Sequence, residues 1–211
     1  MKREQTHGPD ILDGHLGGCS TGGDSGTYYP LMWTHIVRTH NVKSVLDIGC
    51  GRGFSADYFK DPLAVEVCGV EGSREAVLQS LIPEDVVQHD YSLGPYTPQK
   101  DYDLGWCCEF VEHVEEQYAP NFIQTFTKCK MLALTYASPG QGGHHHVNEN
   151  TFEYWREKIE AAGFRYDEAL TQEFRAVAQQ DADEQQKANP DRFMIPHFVR
   201  RGLVFLRNDV S

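Results

Sequence analysis

Short apolar runs alternate with segments whose apolar residues recur every three or four positions along most of the chain. Val45, Leu46 and Ile48 make a run that predicts a strand covered on both faces. Before it, Leu31, Met32, His35 and Ile36 share one face of a helix predicted over Tyr28–Thr39. After it come a short helix over Phe54–Phe59, a strand over Ala64–Val70, and a helix over Ser73–Leu81 with Ser73 as its N-cap. The pattern then gives strands over Asp85–Gln88 and Tyr102–Cys108. A helical region over Glu109–Val114 and Tyr118–Cys129 follows, interrupted near Tyr118. Further strands are predicted over Met131–Tyr136, Phe164–Tyr166 and Phe198–Leu206, with a helix over Thr151–Ala162 stopped by Gly163. Residues 168–190 are polar and read as a surface helix or an irregular insertion. Seven strands alternating with helices predict an α/β, Rossmann-like, doubly wound, mostly parallel sheet with helices on both faces.

The first strand runs into Gly49-Cys50-Gly51-Arg52-Gly53, which removes three side chains in five positions. Such a turn lets a ligand lie against bare backbone, beside the N-terminus of the next helix. Its spacing is not the G-x-G-x-x-G of dinucleotide enzymes. Asp47 lies in the strand just before the turn. Glu71 ends the second strand, where a carboxylate can take both hydroxyls of a ribose. Asp90 follows the third strand, within reach of an adenine amino group.

Composition narrows the class. A chain of 211 residues, 40% hydrophobic and 24% charged, suits one globular domain over 27–211. Residues 1–26 form a glycine-rich segment that is either a solvated tail or a lid over the ligand. The net charge of −12 opposes nucleic-acid binding, which needs lysine and arginine to displace counterions. The apolar runs are too short for a membrane span, and Met1–Gln5 lacks an apolar leader core. Six cysteines without a C-x-x-C pair read as reduced core thiols of a cytoplasmic protein.

Val45-Leu46-Asp47-Ile48-Gly49-Cys50-Gly51-Arg52-Gly53 resembles motif I of the class I S-adenosylmethionine-dependent methyltransferases. Glu71, Asp90 and Asp103–Cys108 fall where that family keeps its ribose, adenine and fourth-strand motifs. The resemblance covers about residues 28–206. It implies strand order 3-2-1-4-5-7-6 with the last strand antiparallel. It also implies S-adenosyl-L-methionine as cofactor, held by Asp47, Gly49, Cys50, Gly51, Glu71, Gly72, Ser73, His89, Asp90, Tyr91 and Cys107.

A second constellation follows the fourth strand. On a helix, Glu109, Glu112 and His113 would share one face as i, i+3 and i+4. That is either a divalent-metal cluster or an acidic helix start with a packed histidine. The loop after the fifth strand adds His144, His145 and His146 beside the crevice. The Glu-x-x-Glu-His arrangement resembles ubiquinone-biosynthesis O-methyltransferases and 3′-terminal small-RNA 2′-O-methyltransferases. In the RNA enzymes a distal histidine completes the site shortly before a Phe-Glu-Trp helix. Here Phe152-Glu153-Tyr154-Trp155 follows the three histidines at a longer spacing, so which of them serves stays open. The Gly17–Asp24 segment and the Pro139–Asn148 loop are similar to stand-alone methyltransferases of bacteria and their viruses.

Together these features predict methylation of a small-molecule or sugar-like acceptor at oxygen. His113, His144, His145 and His146 are the candidate catalytic residues, and Glu109, Glu112, His113 and His145 the candidate ligands of a divalent metal ion. N-methylation of a small amine and a non-catalytic S-adenosylmethionine-binding module are the alternatives.

Overall fold

The computed structural model describes residues 14–16, 23–191 and 195–210. Seven strands form one sheet: β1 (Ser44–Ile48), β2 (Glu66–Glu71), β3 (Val86–Gln88), β4 (Tyr102–Cys107), β5 (Cys129–Leu134), β6 (Phe164–Tyr166) and β7 (Leu203–Arg207). Their order is β3-β2-β1-β4-β5-β7-β6. The first five pair in parallel, and β7 runs antiparallel to both β5 and β6. This is the expected seven-stranded α/β arrangement.

Side-chain alternation along each strand divides the core between the two faces. Leu46, Ile48, Leu132, Leu134 and Phe205 point to one face. There they meet Phe122 and Phe126 of α4 (Ala119–Phe126) and Trp155 and Ile159 of α5 (Phe152–Ala161). Val45, Leu104, Trp106, Met131 and Val204 point to the other. They pack against α1 (Pro30–Thr39), α2 (Phe54–Lys60), α6 (Glu168–Ala188) and α7 (His197–Arg201) through Trp33, Phe59, Phe174 and Phe198. Each such side chain, fully buried, contributes about 1.5–3 kcal/mol. The helix α3 (Arg74–Leu78) follows β2, and Ser73 caps it by accepting from Ala76 N–H at 3.3 Å.

Several boundaries differ from the pattern-based expectation. Glu109–Val114 is not a helix: Glu109 has a left-handed φ of 53°, and only Val111–His113 form a 3-10 turn. The helix expected to reach Cys129 ends at Phe126, because Cys129 opens β5. The run Phe198–Leu206 divides at Gly202 into α7 and β7. For residues 168–190 the helical alternative holds: Glu168–Ala188 fold as α6, which is more than a surface helix because it buries Thr171, Phe174, Ala178, Asp181 and Ala182.

Asp181 fixes α6 to α1. Its two carboxylate oxygens accept the N–H groups of Leu31 and Met32 at 2.9 and 2.9 Å, at the start of α1 where no intrahelical acceptor exists. Among the described residues, no helix is long and apolar enough to cross a membrane. The five described cysteines are free thiols.

Candidate active site

The carboxyl ends of the parallel strands open into a crevice of about 2280 Å³. Its floor is the glycine turn after β1. Gly51 (φ 54°) faces open space, so a ligand can approach its backbone, and its N–H donates to Glu71 Oε2 at 2.7 Å. Ser73 N–H donates to Glu71 Oε1 at 2.8 Å. Gly49 (φ 72°) is needed for packing: a β carbon there would lie 2.2 Å from Cδ2 of Phe110. Asp47 is buried and accepts from Ser55 Oγ on α2. Burial, and then the nearby Glu71 charge, push its carboxyl up to about 7, against the pull of the Ser55 bond. Burial also raises Glu71, against the Ser73 and Gly51 bonds.

His89, Asp90 and Tyr91 continue the same wall. His15 Nε2 lies 2.8 Å from Asp90 Oδ2, and Leu16 lies over Gly72. Partial burial works to raise Asp90, but the His15 and Ser92 hydrogen bonds outweigh it and hold the carboxyl below its ordinary value. Of the residues expected around the cofactor, Asp47, Gly49, Cys50, Gly51, Glu71, Gly72, His89, Asp90 and Tyr91 line the crevice. Ser73 and Cys107 do not. Cys107 points into the core because β4 alternation turns Cys108, not Cys107, toward the opening.

The acidic and histidine residues sort into two groups. Glu109 accepts from Thr135 Oγ1 at 3.0 Å and pairs with His197 Nδ1 at 2.9 Å, and His197 Nε2 reaches Asp24 at 3.2 Å. Burial would lower His197, but the Asp24 and Glu109 hydrogen bonds outweigh it and lift the imidazole to about 10. Glu112, His113 and His146 form the other group, with one ligand atom from each lying within 4.8 Å of the others. Glu112 is fully buried, and neither carboxylate oxygen has a hydrogen-bond partner. Burial, then the Glu109 charge, push its carboxyl well above the usual range. His113 Nδ1 lies 3.2 Å from the carbonyl oxygen of His145. A carbonyl only accepts, so Nδ1 carries the proton and Nε2 keeps a lone pair. Burial and the neighbouring His146 lower His113 to about 4.

Backbone bonds hold this second group in place. Val147 and Asn148 N–H donate to the Glu112 carbonyl at 2.9 and 3.1 Å, and Asn148 Nδ2 donates to the Val111 carbonyl. His146 Nδ1 lies 3.1 Å from Glu149 Oε1. Two of the four expected metal ligands therefore fall outside the cluster. Glu109 is engaged by His197, and His145 is turned by its left-handed φ of 53°, so that it supplies a carbonyl rather than an imidazole. His113, His144 and His146 line the crevice and His145 does not. Sequence reasoning missed His146 as the clustered histidine, and missed His197, Asp24 and Phe110.

Residues 46–129 match the methyltransferase-domain family. Over that stretch the chain is similar to a methyltransferase domain. No curated protein matches this chain in sequence. Among solved structures, it resembles the methyltransferase domain of bacterial CtHen1 (20% identity, 64% of this chain and 83% of that one, TM-score 0.50). It also resembles the plantazolicin methyltransferase BpumL (15% identity, 87% and 83%, TM-score 0.59) and the [4+2]-cyclase SpnF (20% identity, 95% and 92%, TM-score 0.54). Such distant likeness speaks for the fold alone, and the cyclase is a reminder that the fold hosts other chemistry.

Proposed function

We propose that this methyltransferase transfers the methyl group of S-adenosyl-L-methionine to a hydroxyl of a small-molecule or sugar-like acceptor, with a divalent cation held by Glu112, His113 and His146. The carrying observation is Glu112, whose carboxylate is fully buried without a hydrogen-bond partner beside two imidazoles. An uncompensated buried carboxylate is costly, and a cation is the partner that this donor set suits. A bound cation supplies Lewis acidity that lowers the pKa of an acceptor hydroxyl.

The chain's own residues then have separable tasks. The Gly49–Gly53 turn, Asp47 and Glu71 hold the donor's methionine and ribose parts, and Asp90 faces its adenine. The acceptor oxygen must come to about 3–3.5 Å from the methyl carbon, in line with the sulfur. His113 is neutral at physiological pH and presents Nε2, which suits it to ligate; held near 4 it is a weak base, so proton removal from the acceptor rests mainly on the cation. His144 is exposed at the mouth, a position suited to contacting the acceptor. The His15–Asp90 and Leu16–Gly72 contacts support a covering role for the N-terminal segment. Residues 1–13 and 17–22 of that segment lie outside the described residues.

The test is mass spectrometry of metabolite pools incubated with the protein and deuteromethyl-labelled S-adenosylmethionine. The reading expects a product labelled on oxygen, lost with chelator and in Glu112→Gln. A chelator-insensitive product labelled on nitrogen refutes it, as does cofactor binding with no labelled product from any pool.

A further inference from the structure

A second cluster of metal-ligating side chains lies outside the crevice, where the end of α1 meets α6. Helices α1 and α6 run antiparallel. Asp181 anchors the start of α1, and eight positions earlier on α6 Glu173 meets its end. His35 Nε2 lies 2.6 Å and His40 Nε2 3.0 Å from the same oxygen, Glu173 Oε1. One ligand atom from each of the three residues lies within 4.8 Å of the others. The side chains are 20–36% exposed, so the group is reachable from solvent. None of the three lines the crevice. His35 Nδ1 is 3.4 Å from Thr39 Oγ1, and the His40 ring stands edge-on to Phe174, which orients both imidazoles.

We propose that His35, His40 and Glu173 bind zinc or a zinc-like first-row divalent cation and thereby clamp α1 to α6. The proposal does not depend on the reading of the crevice cluster. Two imidazole nitrogens and one carboxylate oxygen suit zinc rather than magnesium or calcium, which take oxygen ligands. Bonds of about 2.0–2.2 Å in tetrahedral geometry separate ligand atoms by roughly 3.3 Å. The observed 2.6 and 3.0 Å contacts reach that by shifts of less than about an ångström. Without a cation, two imidazoles converge on one oxygen, and each must carry a proton on Nε2 to donate to it. One cation takes the place of both Nε2 protons, each ring then carrying its proton on Nδ1. Solvent completes the fourth position. The clamped helix carries Trp33, which lines the crevice, and follows Tyr28, which also does. The clamp therefore anchors a wall of the acceptor space.

The test uses the full chain carrying Glu112→Gln and His146→Gln, which disables the crevice cluster. Cobalt(II) is titrated against it and followed by visible absorption, and zinc is titrated by calorimetry. One equivalent is expected, with the intense absorption of tetrahedral cobalt and a zinc-dependent rise in melting temperature. Adding His40→Gln or Glu173→Gln should weaken binding at least tenfold, with folding in chelator checked by circular dichroism. Zinc-induced shifts of the His35 and His40 imidazole resonances, read by nuclear magnetic resonance without those added replacements, give a second measurement. No binding, or the same spectrum and stoichiometry in both added variants, overturns the proposal, as does zinc that leaves the two imidazole signals in place.

Discussion

Replacing Asp47 with asparagine should stabilise the ligand-free protein at alkaline pH. Asp47 is buried, and its carboxyl sits at about 7 instead of the usual 3.8. Between those values the folded state binds a proton that the unfolded state has released. Stability from this group is therefore greatest at low pH and falls as pH rises from about 4 to 7. At about 1.4 kcal/mol per pKa unit, the ceiling on that loss is about 4 kcal/mol above pH 7. Water in the crevice that Asp47 lines reduces it to roughly 2–4 kcal/mol. Asparagine keeps an oxygen for Ser55 and has no charge to desolvate. In a domain of this length 1 kcal/mol moves the melting temperature by about 2–4 °C, so the variant should melt ~5–15 °C higher at pH 8. At pH 4 the two proteins should melt together. The assay is thermal unfolding by circular dichroism across that pH range without cofactor. A variant that melts at or below wild type at pH 8, or a difference independent of pH, refutes the reasoning.

Other consequences are equally open to measurement. Gly49→Ala drives a β carbon into Phe110 at a left-handed φ, and should cost about 1–3 kcal/mol in urea unfolding and abolish cofactor binding by calorimetry. His197→Gln removes the imidazolium between Asp24 and Glu109, and should cost about 2–3 kcal/mol near pH 7. Because His197 is raised to about 10 in the fold, its stabilisation is complete below about pH 6.5 and is lost as pH approaches and passes 10. The gap between wild type and variant should close over that window in denaturant titrations. Asp181→Ala leaves two N–H groups at the start of α1 without their acceptor. It should cost about 1–2 kcal/mol and speed amide exchange in Leu31–Trp33 more than in β4.

The glycine turn and the carboxylates of Asp47, Glu71 and Asp90 were expected around one crevice, and the structure places them there; Gly51 faces open space, whereas Gly49 is needed against Phe110. Motif order implied the sheet order, which the structure bears out. The reach of α6 was not legible, because its buried stripe includes Thr171, Ala178, Asp181 and Ala182 and lowers the hydropathy contrast that periodicity needs. Phe198-Val199 and Leu203–Leu206 are apolar on either side of Arg200-Arg201-Gly202, and short apolar runs alone do not separate helix from strand. The site's acidic half failed for a backbone reason. Glu109 adopts a left-handed conformation that no pattern announces for glutamate, and this breaks the helical face expected to align Glu109, Glu112 and His113. Consecutive histidines point in different directions once the loop is stitched to the Glu112 carbonyl, so choosing His146 over His145 needed the fold. His197 meets Asp24 across 173 positions, a contact visible only in three dimensions.

The proposed function stands or falls on whether Glu112, His113 and His146 bind a divalent cation. The most direct measurement is cobalt(II) titration, read by visible absorption with S-adenosylhomocysteine present, of protein carrying Glu173→Gln to silence the α1–α6 cluster. One bound equivalent that disappears on adding Glu112→Gln is the predicted result. Equal binding with and without Glu112, or none in either protein, contradicts the claim.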